Sequence, residues 1–130
     1  MSAGDIIVVN ENSFGRKGNY FDGTDDYVLH DAHAIARVAA NDTVGTYTAW
    51  IYLNDLAGTY TILSAGDNSA IAEFLHLTVK AGKLNIFLKD GSATRYDVIE
   101  TTAVLTAKKW HHVAIVQDLI RPNLYVDGIA

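Results

Sequence analysis

The chain of 130 residues has no cysteine, one proline and one methionine. Without cysteine there is no disulfide, no thiol nucleophile and no zinc–thiolate site. That absence carries no message about compartment, because a cysteine-free domain folds equally well inside or outside a cell. The lone proline, Pro122, stands where a strand is expected to begin, and there its missing N–H does no harm. Positive charge is sparse too. Ten Lys and Arg face fifteen Asp and Glu, for a formal charge of -5. The basic residues are scattered, adjacent only at Arg16-Lys17 and Lys108-Lys109, which argues against the clustered surface that nucleic acid requires. Long apolar runs are missing as well. None approaches the roughly 20 residues of a membrane span, so no membrane insertion is expected. Ile6–Val9 is too short for a signal-peptide core, and Met1-Ser2-Ala3-Gly4-Asp5 has no basic residue. The expectation is a protein made and released in the cytosol.

What is present is apolar and turn-rich. Hydrophobic residues make up 49% and charged residues 19%, the balance of a globular chain. The length predicts one domain, 1–130, able to bury roughly two-thirds of its unfolded surface. Expected strands follow one another: Ile6–Val9, Asn19–Phe21, Tyr27–His30, Thr46–Leu53, Tyr60–Ala65, Ile71–Val79, Leu84–Leu88, Arg95–Ile99, Trp110–Val116 and Asn123–Val126. Turn residues separate them at Asp22–Asp26, Gly66–Ser69, Ala81-Gly82, Asp90-Gly91 and Asp127-Gly128. Turns about ten residues apart are the mark of an antiparallel sandwich or barrel. Only Asp31–Asn41 breaks the pattern. It is alanine-rich, with Asp31 placed to cap one or two helical turns.

Within Thr46–Leu53, Tyr47, Ala49, Ile51 and Leu53 share one face and Thr48, Trp50 and Tyr52 the other. Both faces carry apolar or aromatic groups, which predicts an inner strand covered on both sides. The Trp-His-His-Val stretch at Trp110–Val113 carries the same expectation, so Trp50 and Trp110 are assigned to the core.

In this order the segments resemble a known family. Tyr20-Phe21-Asp22-Gly23-Thr24-Asp25-Asp26-Tyr27-Val28 is similar to the opening motif of laminin G-like, concanavalin A-like domains. Thr46-Tyr47-Thr48-Ala49-Trp50-Ile51 is similar to their next strand. Thr61-Ile62-Leu63-Ser64 with Leu75-His76-Leu77 resembles the middle hairpin. Trp110-His111-His112-Val113-Ala114 and Leu124-Tyr125-Val126-Asp127-Gly128 resemble the late pair. The resemblance runs from about Asn19 onward and implies an all-β, antiparallel two-sheet jelly-roll sandwich of a pentraxin-related variety. Family members carry further strands after the Tyr-Val-Asp-Gly turn. Here the sequence reaches Ala130, so the expectation is that the last strands are missing or supplied by another chain.

Candidate sites are weighed by chemistry. Calcium takes six to eight oxygens, and Asp22, Asp25 and Asp26 lie within five residues. Asp67-Asn68 resembles the Asp-Asn pair with which pentraxins hold calcium. A Ca²⁺ site built on Asp67, Asn68 and Asp25 is therefore the metal candidate, set against the common use of Asp and Asn as turn formers. A glycosidase needs two carboxylates flanking the sugar bond, and no strand alternates them. Glu73 and Glu100 are isolated, and no nucleophile-elbow motif occurs. Among the histidines, His30 and His33 could share a metal across a loop, whereas strand histidines such as His76 and His112 more often serve packing. Sugar-stacking tyrosines are sought among Tyr47, Tyr52, Tyr60 and Tyr96. The polar segment Asp90–Tyr96, with Asp90, Arg95 and Tyr96, is the candidate contact loop. The resulting expectation is a non-catalytic, lectin-like module that binds glycans or a cell surface, with partner chains completing its sheet. The alternatives are a structural decoration or tail component of a virus (phage) particle and, less favoured, a glycoside hydrolase-like enzyme.

Overall fold

A computed structural model describes residues 19–22, 24–29, 32, 44–66, 73–99, 104–118 and 121–130, and the backbone of residues 6–7. Eight strands lie among them: β1 (Ile6–Ile7), β2 (Val44–Leu53), β3 (Thr59–Gly66), β4 (Phe74–Lys80), β5 (Lys83–Asp90), β6 (Ala93–Ile99), β7 (Trp110–Asp118) and β8 (Arg121–Val126). They form two four-stranded antiparallel sheets, one ordered β1-β2-β7-β8 and the other β3-β4-β5-β6.

Period-two alternation decides which side chains meet between the sheets. Ile51 and Leu53 of β2, Val113 and Ile115 of β7, and Leu124 and Val126 of β8 point inward from one sheet. Tyr60, Leu77, Val79, Leu84 and Ile86 point inward from the other. Each fully buried aliphatic side chain contributes roughly 1.5–3 kcal/mol of transfer free energy. The two inner faces interleave as they do in other sandwiches. Leu105 joins this core from the loop between β6 and β7. Its N–H donates to Gly82 O at 2.7 Å, and Lys108 N–H in the same loop donates to Leu53 O at 2.7 Å.

Turn chemistry closes the hairpins. Ala81 and Gly82 both have positive φ, 50° and 73°, between the cross-strand partners Lys80 and Lys83. Asp127 and Gly128 repeat this with φ of 51° and 82°, and Val126 and Ile129 exchange hydrogen bonds of 2.9 and 3.0 Å. Positive φ at both central residues is the geometry of the type I′ hairpin, which favours Asn-Gly and Asp-Gly. Ala81 is therefore the unfavourable member, because its Cβ crowds the backbone in the left-handed region. Ala81→Asn is expected to raise stability by about 0.5–1 kcal/mol. Gly82→Ala is expected to lower it by about 1–2 kcal/mol. A Cβ there would sit 3.3 Å from Leu56 Cδ1 and 3.4 Å from Leu105 O. Urea denaturation of the two variants checks the pair of signs.

Several expectations need correction. Of Asn19–Phe21, only Tyr20 makes a bridge, and residues 26–29 are not a strand. The expected turn between them is present: Asp22 N–H donates to Asp26 Oδ2 at 2.9 Å and Thr24 N–H to Asp22 Oδ1 at 2.8 Å. β4 begins at Phe74 rather than Ile71, since Glu73 lies outside the strand and residues 71–72 lie outside those described. Of the expected helix, Ala32 is helical and the rest of Asp31–Asn41 lies outside the described residues. The largest correction concerns Trp50 and Trp110. Neither is core: Trp50 is 58% exposed and Trp110 37%. β2 and β7 are indeed inner strands of their sheet, but the tryptophans on their outward faces are not covered. Two apolar faces in a sequence do not by themselves say that both are buried.

Candidate functional site

The exposed tryptophans belong to an organised surface. The β2–β7–β8 register places outward side chains in rows across the sheet. Tyr52 lies opposite Trp110, then Trp50 opposite His112. Thr48, Ala114 and Tyr125 make the third row, and Thr46, Val116 and Asn123 the fourth. Val44, Asp118 and Arg121 complete the series. The Trp50 and His112 rings have centroids 5.2 Å apart with an interplanar angle of 58°, and Tyr52 and Trp110 lie at 5.6 Å and 57°. Tilted pairs of this kind are favourable contacts between rings. They hold their members in place while leaving Trp50 open to solvent. Trp50 and Tyr52 alternate with Ile51 and Leu53 in the sequence, so the stripe was legible. The signal that it faces water is the company of Thr46 and Thr48 on the same side of β2.

At the edge of this surface the sheet is pinned by one carboxylate. Asp127 Oδ1 accepts from His112 N–H at 2.9 Å, and Oδ2 lies 2.7 Å from His111 Nδ1. His111 points inward and is 5% exposed. Its Nε2 accepts the Thr106 N–H at 3.1 Å, which puts the ring proton on Nδ1 and directs it to Asp127. The Thr106 carbonyl oxygen, 3.2 Å from the same nitrogen, has no proton to accept from it in this tautomer. Thr106 Oγ1 is 3.0 Å from Nε2. Hydroxyl, imidazole and carboxylate thus stand in the order a hydrolase uses. Here a backbone amide already engages the lone pair that a general base needs, so the arrangement acts as a latch. Asp127 is held below the usual carboxylate range, first by the His112 N–H and then by His111. Asp55 is lowered similarly, first by the Tyr60 hydroxyl and then by the Ala57 N–H.

The expected contact loop takes a different form. Asp90, Arg95 and Tyr96 lie on strands β5 and β6, joined by a two-residue turn at Gly91-Ser92. A bulge between Leu88 and Lys89 leaves Arg95 out of the register, and its Nε donates to Asp90 Oδ2 at 2.9 Å. Both side chains are more than half exposed. Such a pair contributes little to stability. Tyr96 points the other way, half-buried against the core, and burial raises its hydroxyl pKa. Asp90 and Arg95 therefore share the hairpin's solvent side, while Tyr96 does not join them.

Of the metal candidates, Asp67 and Asn68 lie outside the described residues. Asp25 is grouped with Asp22 and Asp26, with carboxylate oxygens within 4.8 Å of one another, all exposed. Asp22 and Asp26 already accept turn amides. His30 and His33 lie outside the described residues. His76 stacks on Phe74 at 4.5 Å on the outer face of the second sheet. On the same face Asn85 Nδ2 donates to Asp97 Oδ1 at 2.8 Å and to Val98 O at 3.0 Å, while Thr78 Oγ1 donates to Asn85 Oδ1 at 3.4 Å. This chain of bonds ties β4, β5 and β6 together. Of the four tyrosines considered, Tyr60 is buried, Tyr47 is exposed on the opposite side of β2 with its pKa raised by partial desolvation, Tyr96 packs on the core, and Tyr52 belongs to the open face. Trp50, Trp110 and Tyr125 are the members of that face not foreseen as contact residues.

The geometry defines a two-sheet antiparallel sandwich with one aromatic outer surface. Residues 22–130 match the family model described as the concanavalin A-like lectin/glucanases superfamily, and the chain belongs to that family as a laminin G-like domain. Domains of this class commonly bind carbohydrates or other ligands. No curated protein and no solved structure matches the chain.

Proposed function

We propose that the domain is a non-catalytic, lectin-like module that binds glycans or a glycan-bearing cell surface. The observation that carries this reading is the exposed aromatic face of the β2–β7–β8 sheet. Large exposed apolar surface on a folded domain marks an interaction site. Trp and Tyr rings stack on the C–H faces of sugars, while hydroxyl and amide neighbours meet the sugar hydroxyls. The non-catalytic part rests on carboxylate placement. On the described strands Asp90, Asp97 and Asp118 stand opposite Ala93, Phe87, and Val44 and Arg121, none opposite another carboxylate, whereas glycoside hydrolysis needs a facing pair. A glycan array is expected to return specific binding, and a polysaccharide-hydrolysis screen no product. An array with no binding at all would end the lectin reading.

A second reading, a structural component of an assembly such as a virus particle, draws on the sheet edges. Among the described residues β6 and β8 each pair with a strand on one side only. Such edges accept a strand from another chain. Light scattering that gives a defined oligomer, together with an empty glycan array, would favour it.

A further inference from the structure

Building on the lectin reading, we propose that the outer face of β2, β7 and β8 binds one uncharged, extended polysaccharide chain, laid diagonally over Tyr52/Trp110, Trp50/His112 and Tyr125.

Shape comes first. Side chains two residues apart on a strand are about 6.8 Å apart, and neighbouring strands about 4.8 Å. The aromatic track from Tyr52 on β2 to Tyr125 on β8 spans two rows and two strand spacings, about 17 Å. That exceeds any single hexose ring, so the face addresses several sugar units together. Its residues stand on three paired strands of one sheet, not in loops that close around an end group. This favours an internal stretch of polymer over a terminal sugar.

Charge comes second. The four rows from Tyr52/Trp110 to Thr46/Asn123 contain no Asp, Glu, Lys or Arg. Asp118 and Arg121, in the fifth row, are register partners of opposite sign. A face without net charge, on a chain of formal charge -5, offers nothing to a sulfate or a sialic acid. Thr46, Thr48 and Asn123 instead expose neutral hydroxyl and amide groups.

Size comes third, and it separates a polysaccharide from a second copy of the chain. Three strands by three or four rows give roughly 14 by 20 Å, on the order of 300 Å². A standard protein interface takes about 800 Å² from each partner. The face is too small for a stable dimer and wide enough for a sugar chain.

The test uses the chain's own chromophores. Both tryptophans of the sequence lie on this face, so intrinsic fluorescence reports it directly. The probes are cello-, xylo-, manno- and β-1,3-glucohexaose, their disaccharides, and one sialylated and one sulfated oligosaccharide, with calorimetry in parallel. At least one neutral hexasaccharide should quench or shift the emission and bind at least tenfold more tightly than its disaccharide. Trp50→Ala and Trp110→Ala should each weaken that binding tenfold or more, while both variants stay folded by circular dichroism. Four results overturn the proposal. Glycan binding that survives both substitutions, or binding of charged glycans alone, moves the site elsewhere and leaves the lectin reading standing. Failure of every glycan removes both. A concentration-dependent emission shift with doubled mass gives the face to a second copy.

Discussion

Replacing Asp127 by Ala is expected to lower the stability of the domain by about 2–3 kcal/mol. The loss is large for a residue in a turn because three interactions depend on it. Oδ1 accepts the His112 N–H, Oδ2 accepts the His111 Nδ1–H, and the backbone sits at a φ of 51°. Without the carboxylate, the Nδ1–H of a nearly buried imidazole is left without its partner, and alanine crowds the left-handed region more than aspartate does. Asp127→Asn keeps the turn conformation and one acceptor, so it should fall between wild type and Asp127→Ala. Urea midpoints at pH 7 give the order. The pH dependence has a definite sign. The folded state lowers the Asp127 pKa below its unfolded value of about 3.9. Its contribution is therefore complete above that value and is lost as pH falls through the lower, folded pKa. Wild type should lose stability more steeply than Asp127→Asn below about pH 4. Asp55, lowered by Tyr60 and Ala57, adds a second contribution of the same sign.

The second large effect contrasts two apolar residues. Leu105→Ala should cost about 3 kcal/mol, because it removes a wholly buried side chain and leaves a cavity at the end of the core. Trp50→Ala, which deletes far more atoms, should cost under about 1 kcal/mol. It loses little more than the tilted contact with His112. Thermal or urea unfolding of the two variants, followed by far-UV circular dichroism, measures the difference. Equal losses would mean that the β2–β7–β8 face is covered after all.

These two residues also mark where the sequence was informative and where it was not. Alternation placed Ile51 and Leu53 on one side of their strand and Trp50 and Tyr52 on the other, and the turn residues divided the chain into hairpins. From that, the sandwich could be read. Which side was covered could not, because aliphatic and aromatic stripes score alike until one asks which of them meets the other sheet. Leu105 escaped for a different reason. It lies in a loop, where no period reveals burial, and its place depends on partners in β2 and in the β4–β5 turn. Arg95 and Tyr96 looked like neighbours on a contact loop. Adjacent strand positions point to opposite faces, so one reached Asp90 and the other the core. The role of Asp127 was half visible. Asp-Gly announced the turn, but the bonds to His111 and His112 span 16 and 15 residues.

The loop that carries Leu105 has a kinetic consequence. Its Leu105 amide is bonded to the sheet containing β4 and β5, and its Lys108 amide to the sheet containing β2. One short segment is therefore fastened to both layers, and the two bonds cannot both survive if the layers part. In hydrogen-exchange measurements these two protons should exchange only with the global opening of the sandwich, although they sit outside any strand. Protection there would make the crossover a clasp that closes late in folding and opens last, and would give a direct readout of when the two sheets dock.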